Sequence, residues 1–416
     1  MIRINKKVNC CGCGACEQIC AHQCIRLTPD KEGFSYPVVD TDKCIECHLC
    51  EKVCPILNVR DNKIPEDTPT YAAYNPVEKQ RLTSSSGGVF QLLASYILEN
   101  GGIVCGAQFD EKYQVNHVCI DNPNDLEKLK RSKYVQSSIR NVYKQIRKYL
   151  LEDRFVVFVG TPCQVAGLKS FLRKEYERLL TVDVVCHGVP SPGVWQKYLL
   201  ERRQDFAKQN KIGDVSKVKI EDISFRDKRE SWRKFNLSIS FSFDNNGINP
   251  ISENNGSGLY TKYVWEDEYM LSFLHDYSLR PSCYQCSFRN GKCRSDLTLA
   301  DFWRINEVSS NDELIGNKGT SVVHVNSEKG QRVFDKIECY KQQFTFRQGY
   351  NRASISDWPC PPARFLYFLI YQRVNLLHAY KYTNIFNRCL YIPSRIIKKI
   401  LKYGKNWSGY LFANNR

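Results

Sequence analysis

Apolar runs alternate with amphipathic stretches over most of the chain, and they predict strands followed by helices. Residues 155–160 are continuously apolar, which is typical of a buried parallel strand, and a short turn leads from them into a helix at 165–174. Residues 181–185 repeat the apolar pattern. Further strands are predicted at residues 71–74, 102–109 and 297–302, and further helices end near residue 98 and begin near residue 125. We therefore predict an α/β domain with a largely parallel sheet from about residue 71 onward.

The first 54 residues carry a different pattern, in which eight cysteines repeat one spacing twice. The two sets are Cys10, Cys13, Cys16 and Cys20, and then Cys44, Cys47, Cys50 and Cys54. Spacings of two, two and three residues are typical of a two-cluster bacterial ferredoxin, in which three thiolates hold one cluster and the fourth reaches the other. By that rule Cys10, Cys13, Cys16 and Cys54 hold one 4Fe-4S cluster, and Cys44, Cys47, Cys50 and Cys20 hold the second. Zinc prefers two separated CxxC pairs and fits these tight runs poorly.

Each cluster would move single electrons, so the N-terminal segment is predicted to be an α+β ferredoxin module that serves electron transfer. Cys11 and Cys24 fall outside the two sets, and we interpret both as small apolar side chains beside the clusters. A polar linker follows the module. The predicted units are residues 1–60 for the module, 61–70 for the linker, 71–150 and 151–340 for the two parts of the α/β domain, and 341–416 for a basic aromatic tail.

Twenty cysteines in 416 residues would favour disulfides in a small secreted chain, but residues 1–7 lack the apolar stretch of a secretory signal. We therefore expect a reducing cytoplasm, such as that of an anaerobe. No run approaches the roughly 18 apolar residues that span a bilayer, so we expect a protein that is soluble or at most peripheral to the inner membrane surface.

The net charge of +16 is concentrated at the C-terminal end. Residues 361–416 contain ten Lys or Arg and no Asp or Glu, and residues 395–402 predict a short amphipathic helix. Such a segment suits an acidic redox partner, an anionic membrane surface or a polyanionic substrate, and we do not expect nucleic acid to be the partner. A solvated helix that packs on its own domain is the open alternative.

A serine-rich turn precedes the helix that ends near residue 98. It consists of Ser84, Ser85, Ser86, Gly87 and Gly88. Small residues before a helix N-terminus expose backbone N–H groups and the positive end of the helix dipole, which suits a phosphate. Serine-rich turns also serve as plain N-caps. The turn is therefore a candidate phosphate or pyrophosphate site with both interpretations open.

Four cysteines beyond the N-terminal segment form a second candidate site. Cys163 and Cys186 each lie just past the end of a predicted parallel strand, at the sheet edge where open α/β sheets bind ligands. Cys283 and Cys286 form a CxxC pair further along, and Cys293 follows seven residues later. The first four make a complete four-thiolate set, which their spacing leaves open to a third iron–sulfur cluster, to zinc or to no metal.

Seven sequence blocks, together with the two cysteine runs, carry a family resemblance. They are residues 84–90 (SSSGGVF), 132–137 (SKYVQS), 160–168 (GTPCQVAGL), 185–192 (VCHGVPSP), 224–228 (SFRDK), 280–286 (RPSCYQC) and 296–303 (DLTLADFW). In this order they resemble the beta subunits of the hydrogenases and dehydrogenases that use the deazaflavin coenzyme F420. The resemblance to this family runs from about Val8 to about Val325, and the tail beyond about Gly349 is matched only loosely.

The resemblance implies a flavin-binding α/β domain that holds FAD close to a 4Fe-4S cluster and exchanges electrons with a second redox partner. The implied site residues are Ser84, Ser85, Ser86, Gly87 and Gly88 for the FAD phosphates, Lys133, Tyr134 and Gln136 for the flavin pocket, and Cys163, Cys186, Cys283 and Cys286 for a third cluster, with Cys293 as a substitute ligand. The family includes hydrogenase and formate-dehydrogenase subunits and ferredoxin-dependent tetrapyrrole reductases. The blocks are most similar to a bacterial branch associated with surface-polysaccharide genes.

These features favour an iron–sulfur flavoprotein oxidoreductase that takes electrons from ferredoxin or another redox protein and reduces a small molecule or glycan precursor. An electron-transfer subunit of a larger complex and an F420 reductase or dehydrogenase are the alternatives. His187 could donate a proton, although a turn histidine bonded to the backbone is the plainer interpretation. Asp301 and Trp303 could shape the pocket or serve as turn residues. We assign no catalytic residue.

Overall fold

The computed structural model describes residues 1–59, 65–243, 256–289, 295–349 and 359–390. The N-terminal module consists of the antiparallel strands β1 (Ile25–Pro29) and β2 (Ser35–Val39) and the short helices α1 (Ala15–Ile19) and α2 (Leu49–Lys52). The hairpin turns at Asp30, whose carboxylate Oδ1 accepts backbone N–H bonds from Glu32 at 2.9 Å and from Phe34 at 3.0 Å. An aspartate that bonds its own following backbone in this way initiates a turn.

A mixed eight-stranded sheet lies at the centre of the remaining described residues. Its eight strands are β3 (Thr70–Tyr74), β4 (Ile103–Phe109), β5 (Val115–Ile120), β6 (Val156–Gly160), β7 (Leu179–Val184), β11 (Leu297–Asp301), β12 (Ser321–Val325) and β13 (Tyr340–Phe344). The strands β8 (Val218–Asp227), β9 (Asn236–Phe243) and β10 (Gly256–Tyr263) lie outside it. The order in the large sheet is β13-β3-β12-β11-β7-β6-β4-β5. Its central strands β11, β7, β6 and β4 pair in parallel, which confirms the predicted parallel sheet for this part.

The outer strands of the large sheet pair antiparallel, which the apolar pattern does not predict. The connection between β4 and β5 spans only residues 110–114, and a parallel pair needs a much longer crossover. Cys105 and Cys119 are register partners in this hairpin and form a disulfide, which the expectation of a reducing compartment did not include.

Strands β8, β9 and β10 form a separate antiparallel sheet that we did not predict. The helices that flank the two sheets are α3 (Glu78–Thr83), α4 (Val89–Glu99), α5 (Leu126–Leu129), α6 (Val142–Leu151), α7 (Pro162–Leu172), α8 (Pro192–Gln209), α9 (Glu268–Leu274), α10 (Ile305–Val308), α11 (Asp312–Ile315), α12 (Glu328–Lys336), α13 (Phe346–Gly349), α14 (Arg364–Ile370) and α15 (Leu376–Leu390). Residues of α8, α9, α14 and α15 share one buried cluster with this smaller sheet.

The described part of the C-terminal segment packs into the protein. Tyr367, Leu376 and Ala379 are fully buried in the cluster that contains the smaller sheet. The boundary predicted between residues 340 and 341 falls inside β13, which pairs with β3. The amphipathic helix predicted at residues 395–402 lies outside the described residues. No helix in the described ranges is both long enough and apolar enough to cross a membrane.

Candidate metal centres

A cavity opens at the carboxyl ends of the central parallel strands. Cys163 lies in the first turn of α7, directly after β6, and Cys186 follows β7 by two residues. The turn before α7 is fixed because the backbone N–H of Thr161 donates to Gln164 Oε1 at 3.0 Å. Both cysteines line the cavity, at the sheet edge where the strand pattern placed them.

Cys283 and Cys286 line the same cavity from a 3-10 helix at Pro281–Gln285 and the residue after it. The Val189 N–H donates to Cys283 Sγ at 3.4 Å, which ties this helix to the segment that follows β7. The structure therefore brings together the four cysteines that we proposed as inner ligands. Cys293 lies outside the described residues.

Cys11 supplies a fifth thiol to this cavity from the N-terminal module. It is 8% exposed, and its thiol lies within hydrogen-bonding reach of both Cys13 and Cys163. We interpreted Cys11 as a filler beside one cluster, and its position between the module and the large cavity was missed. The sequence shows only that Cys11 adjoins a predicted ligand, Cys10, and gives no signal of the large cavity.

Desolvation keeps the inner thiols protonated in the chain alone. It raises the pKa of Cys186 well above the usual range and the pKa of Cys283 to about 12. The pKa of Cys163 is raised first by the hydrogen bond to the Cys11 thiol and then by desolvation. Cysteines bind metal as thiolates, so cluster assembly in this cavity would release protons.

A second, smaller cavity lies inside the N-terminal module. The cysteines that line it are Cys10, Cys11, Cys13, Cys16 and Cys54. Four of these five are the set predicted for the first cluster from the crossed-ligand rule. Apolar side chains, among them Ile2, Leu27 and Pro37, complete the lining. Cys11 lines both the large and the small cavity, so the two cavities adjoin each other at this residue.

The other predicted N-terminal set is less enclosed. Cys50 is buried and accepts a hydrogen bond from the Ile2 N–H at 3.3 Å, whereas Cys47 is exposed. The sulfur atoms of Cys24 and Cys20 lie 3.3 Å apart. Desolvation and the neighbouring thiols raise the pKa of Cys24 to about 12. Cys24 thus packs against this set, as expected of a filler, and directly contacts one of its members.

The donor chemistry fits iron–sulfur clusters. Among the described residues, no three Cys, His, Asp or Glu side chains converge closely enough to hold one metal ion. The predicted first-cluster and inner cysteines instead surround open volumes. A 4Fe-4S cluster is larger than one ion and takes four thiolates, which is the donor set that each cavity offers.

The serine-rich turn joins α3 to α4 and is held on several sides by protein groups. Ser85 Oγ accepts the Ser132 N–H at 2.8 Å, which places the turn beside the loop that carries Lys133 and Tyr134. The Gly87 N–H donates to Ser321 Oγ at 3.0 Å. Further contacts of the turn are Ser84 Oγ to Gln80 O at 2.7 Å, Ser86 Oγ to Thr320 O at 3.1 Å, and Lys228 Nζ to Ser86 O at 2.9 Å. The left-handed Gly88, with φ of 86°, precedes the first residue of α4. The phosphate site stays a prediction.

The three candidate flavin-pocket residues diverge. Lys133 Nζ donates to the carbonyls of Leu129 and Lys130, at 3.5 and 2.8 Å, and to that of Arg131 at 3.2 Å. Desolvation lowers the pKa of this lysine to about 7. Tyr134 stacks on Phe273.

Gln136, in contrast, faces the N-terminal module. Its Nε2 donates to the Cys11 carbonyl at 3.1 Å, and its Oε1 accepts from Arg280 at 2.9 Å. Gln136 therefore links the large sheet to the loop that carries the first cluster's cysteines.

The remaining candidates have structural partners. Asp301 accepts two hydrogen bonds from Arg226, at 2.7 and 3.1 Å, and one from Trp232 at 3.0 Å. Trp303 stacks on Trp232. His187 Nε2 lies 2.7 Å from Asp276 Oδ1, so a carboxylate is its partner.

Two family models match the chain. Residues 153–346 match the model for the C terminus of the coenzyme F420 hydrogenase/dehydrogenase beta subunit. Residues 9–57 match the model described as a 4Fe-4S dicluster domain, which confirms the module predicted from the cysteine spacing.

Curated relatives agree with these matches. The chain is 29% identical over 187 residues to a coenzyme F420-dependent sulfite reductase of Methanocaldococcus jannaschii, covering 44% of this chain and 28% of that protein. It is 23% identical over 247 residues to the F component of the F(420)H(2) dehydrogenase of Methanosarcina mazei, covering 52% of this chain and 68% of that protein. Its N-terminal part is 32% identical over 62 residues to the 7Fe ferredoxin of Hydrogenibacillus schlegelii, covering 15% of this chain and 73% of that protein. The chain thus spans little more than a quarter of the first relative.

Proposed function

Because the chain belongs to the family of coenzyme F420 hydrogenase/dehydrogenase beta subunits, we propose that it passes electrons between its N-terminal iron–sulfur clusters and coenzyme F420. The observation that carries this proposal is that the two cysteine-lined cavities adjoin each other and that Cys11 lines both of them. One cavity belongs to the dicluster domain and the other lies in the family domain. The arrangement suits an electron path that enters at the module and ends at the sheet edge.

The inner cavity supplies the donors for a third 4Fe-4S cluster in this proposal. Its four thiols are Cys163, Cys186, Cys283 and Cys286. Cys163 lies in the first turn of the helix that follows a central strand, and Cys283 accepts a hydrogen bond from the segment after Cys186. Together with the eight N-terminal ligands, they imply about 12 iron and about 12 sulfide per chain.

FAD is the second carrier that we propose, in the region of the serine-rich turn. A flavin accepts a hydride as two electrons and releases them singly, so it couples a two-electron coenzyme to one-electron clusters. The contact between Ser85 and Ser132 supports this placement because it joins the two segments implied by the family resemblance. The Lys228 side chain, whose Nζ donates to the Ser86 carbonyl, lies directly behind the turn.

F420 is favoured over the glycan precursor that the bacterial branch suggested. The two relatives that match over the longer stretches, 187 and 247 residues, both have F420 in their names. One of them is a component of a dehydrogenase with several subunits, so we propose that this chain also works with a redox partner protein.

Anaerobic purification followed by cofactor analysis and an F420 assay tests the proposal. We expect about 12 iron per chain, bound flavin, and oxidation of reduced F420 coupled to bleaching of the clusters. The matched control is the Cys283→Ser protein, which should keep the N-terminal clusters and lose the coupling. Iron-loaded protein that reduces dyes but exchanges no electrons with F420 in either direction would refute the F420 assignment. A metal content of about eight iron and one zinc would refute the inner cluster.

A further inference from the structure

Arg280 is a buried cation that lies beside the cysteines of both cavities. Its side chain is fully buried, and no Asp or Glu among the described residues forms an ion pair with it. The guanidinium donates from Nε to the Cys10 carbonyl at 2.7 Å and from Nη2 to the Ser35 carbonyl at 2.9 Å. Nη2 also lies 3.5 Å from Cys10 Sγ. Cys283, a predicted inner ligand, follows Arg280 by three residues in the sequence.

Two other buried arginines of this protein have carboxylate partners at close range. Arg226 pairs with Asp301 at 2.7 Å, and Arg364 pairs with Glu32 at 2.7 Å. A buried charge without a counter-charge costs several kcal/mol, because water no longer solvates it. The carbonyl groups around Arg280 satisfy its hydrogen bonds but carry no net charge. A negative group must therefore face this guanidinium in the working protein.

The thiols supply that negative group once they hold iron. Cys10 Sγ lies 3.5 Å from the guanidinium, close enough for a charge on its cluster to act on the arginine directly. Cys10 is a predicted ligand of the first cluster, and its backbone carbonyl also accepts a hydrogen bond from the guanidinium. A thiolate-ligated cluster gains one further negative charge when it is reduced, and a nearby cation stabilises that form.

We propose that Arg280 is the counter-charge of the cluster at Cys10 and raises the reduction potential of that cluster. An electron that enters the module then resides preferentially on the cluster beside the inner cavity. The inference rests on the proposed function, because it requires clusters at these ligands. Cys11 lines both cavities, so the cluster at Cys10 is adjacent to the inner site. Cys47 of the other set is exposed, which makes that cluster the natural entry point from a donor protein.

The chain holds the guanidinium in place by close packing. Gly12 has φ of 72°, and a Cβ there would lie 2.8 Å from Arg280 Nη1 and 2.6 Å from Gln136 Nε2. The ring of Tyr36 lies 4.4 Å from the guanidinium carbon. Only glycine at position 12 therefore leaves room for Arg280 to reach the Cys10 loop.

Redox titration of anaerobically purified full-length protein, followed by electron paramagnetic resonance, tests the inference. Arg280→Gln should keep its iron while the reduction of one N-terminal cluster becomes at least tenfold less favourable, which is about 59 mV for one electron. Arg280→Lys, which keeps the charge, should stay closer to the parent protein. Arg202→Gln is the control, because it removes a partly buried arginine that pairs with Glu268 away from both cavities.

The possible outcomes separate this inference from the proposed function. Full iron and unchanged potentials in Arg280→Gln would overturn the role of Arg280 and leave the clusters standing. Loss of iron from Arg280→Gln with retention in Arg280→Lys supports a counter-charge, whereas loss from both overturns it in favour of packing. A parent protein without N-terminal iron would overturn the proposed function itself.

Discussion

Cys163 and Cys186 come from consecutive strand-to-helix connections, yet both thiols reach one cavity. Strands β6 and β7 pair in parallel, so their carboxyl ends meet at the same edge of the sheet. This juxtaposition could be predicted from two apolar runs, each followed by a cysteine. The metal could not be predicted from spacing, because the donors come from three separate segments.

Replacing Cys186 with Ser should remove about 4 of about 12 iron atoms per chain, because a 4Fe-4S cluster requires four thiolates. Cys163→Ser should behave in the same way. Cys339→Ser is the matched control, since Cys339 is half-buried but lies outside both cavities. Iron analysis under argon gives the result, and unchanged iron in both inner variants would identify these cysteines as packing residues.

Lys133 and Cys11 show which parts of the site a sequence leaves open. A lysine in a block associated with a flavin suggests a ligand-binding group, but three backbone carbonyls take its hydrogen bonds here. Cys11 resembles a filler in the sequence, but it lines both cavities. The Lys133 bonds lie within its own loop, whose backbone path the sequence block does not reveal. The position of Cys11 depends on how the N-terminal module packs against the rest of the protein, and local spacing carries no information about that packing.

At the scale of secondary structure, helix α7 contacts both parts of the candidate electron path, the N-terminal module and the inner cavity. Its first turn carries Cys163, and its middle presents Gly167 to the N-terminal module. A Cβ at position 167 would lie 2.8 Å from Cys13 Cβ and 2.9 Å from its sulfur. The missing side chain therefore lets the helix approach a predicted ligand of the first cluster.

Gly167→Ala should destabilise the protein by about 1–3 kcal/mol, because an added methyl in a packed interface forces the neighbours apart. The first cluster should also be lost more readily on exposure to air. Gly213→Ala is the control, since a Cβ at position 213 meets nothing within 4 Å and should change stability by no more than about 0.5 kcal/mol. Thermal unfolding under anaerobic conditions measures both effects. Equal midpoints for the two variants would show that α7 and the module are not tightly docked.

The elements that could be predicted are those with long apolar runs. Central strands such as β6 and β7 are buried on both faces, and their sequences show it. Strand β8 alternates buried and exposed positions and has register shifts after Ile220 and Ser224. Such interruptions break the period of two that would have identified the smaller sheet.

At the scale of the whole molecule, the C-terminal helices are in direct contact with the N-terminal module. Arg364 of α14 donates to Glu32 in the hairpin of the module, at 2.7 and 3.2 Å. Tyr371 Oη donates to the Lys31 carbonyl at 3.1 Å. The composition of this segment suggested a surface that binds partners, because charge counts do not reveal which aromatic side chains are buried. The structure instead uses its described part to hold the hairpin.

Truncation after Gly349 should therefore abolish folding, whereas truncation after Leu390 should not. The longer deletion removes Tyr367 and Leu376, both fully buried. Each such side chain contributes about 1.5–3 kcal/mol by burial, and several losses together approach the 5–15 kcal/mol that stabilises a typical domain. The shorter deletion removes residues 391–416, with six Lys or Arg and no Asp or Glu.

Iron content and dye reduction should survive the shorter deletion, and any loss of electron transfer from an acidic donor should be confined to low salt. Screening acts over about 8–10 Å at physiological ionic strength, so a docking role of the basic residues would fade as salt is added. Comparing the donor-dependent and dye-dependent rates of the full-length protein with those of the protein truncated after Leu390, over a salt series, separates docking from folding. Full iron and dye activity after truncation at Gly349 would show that α14 and α15 are dispensable, and the basic segment would then be a docking tail.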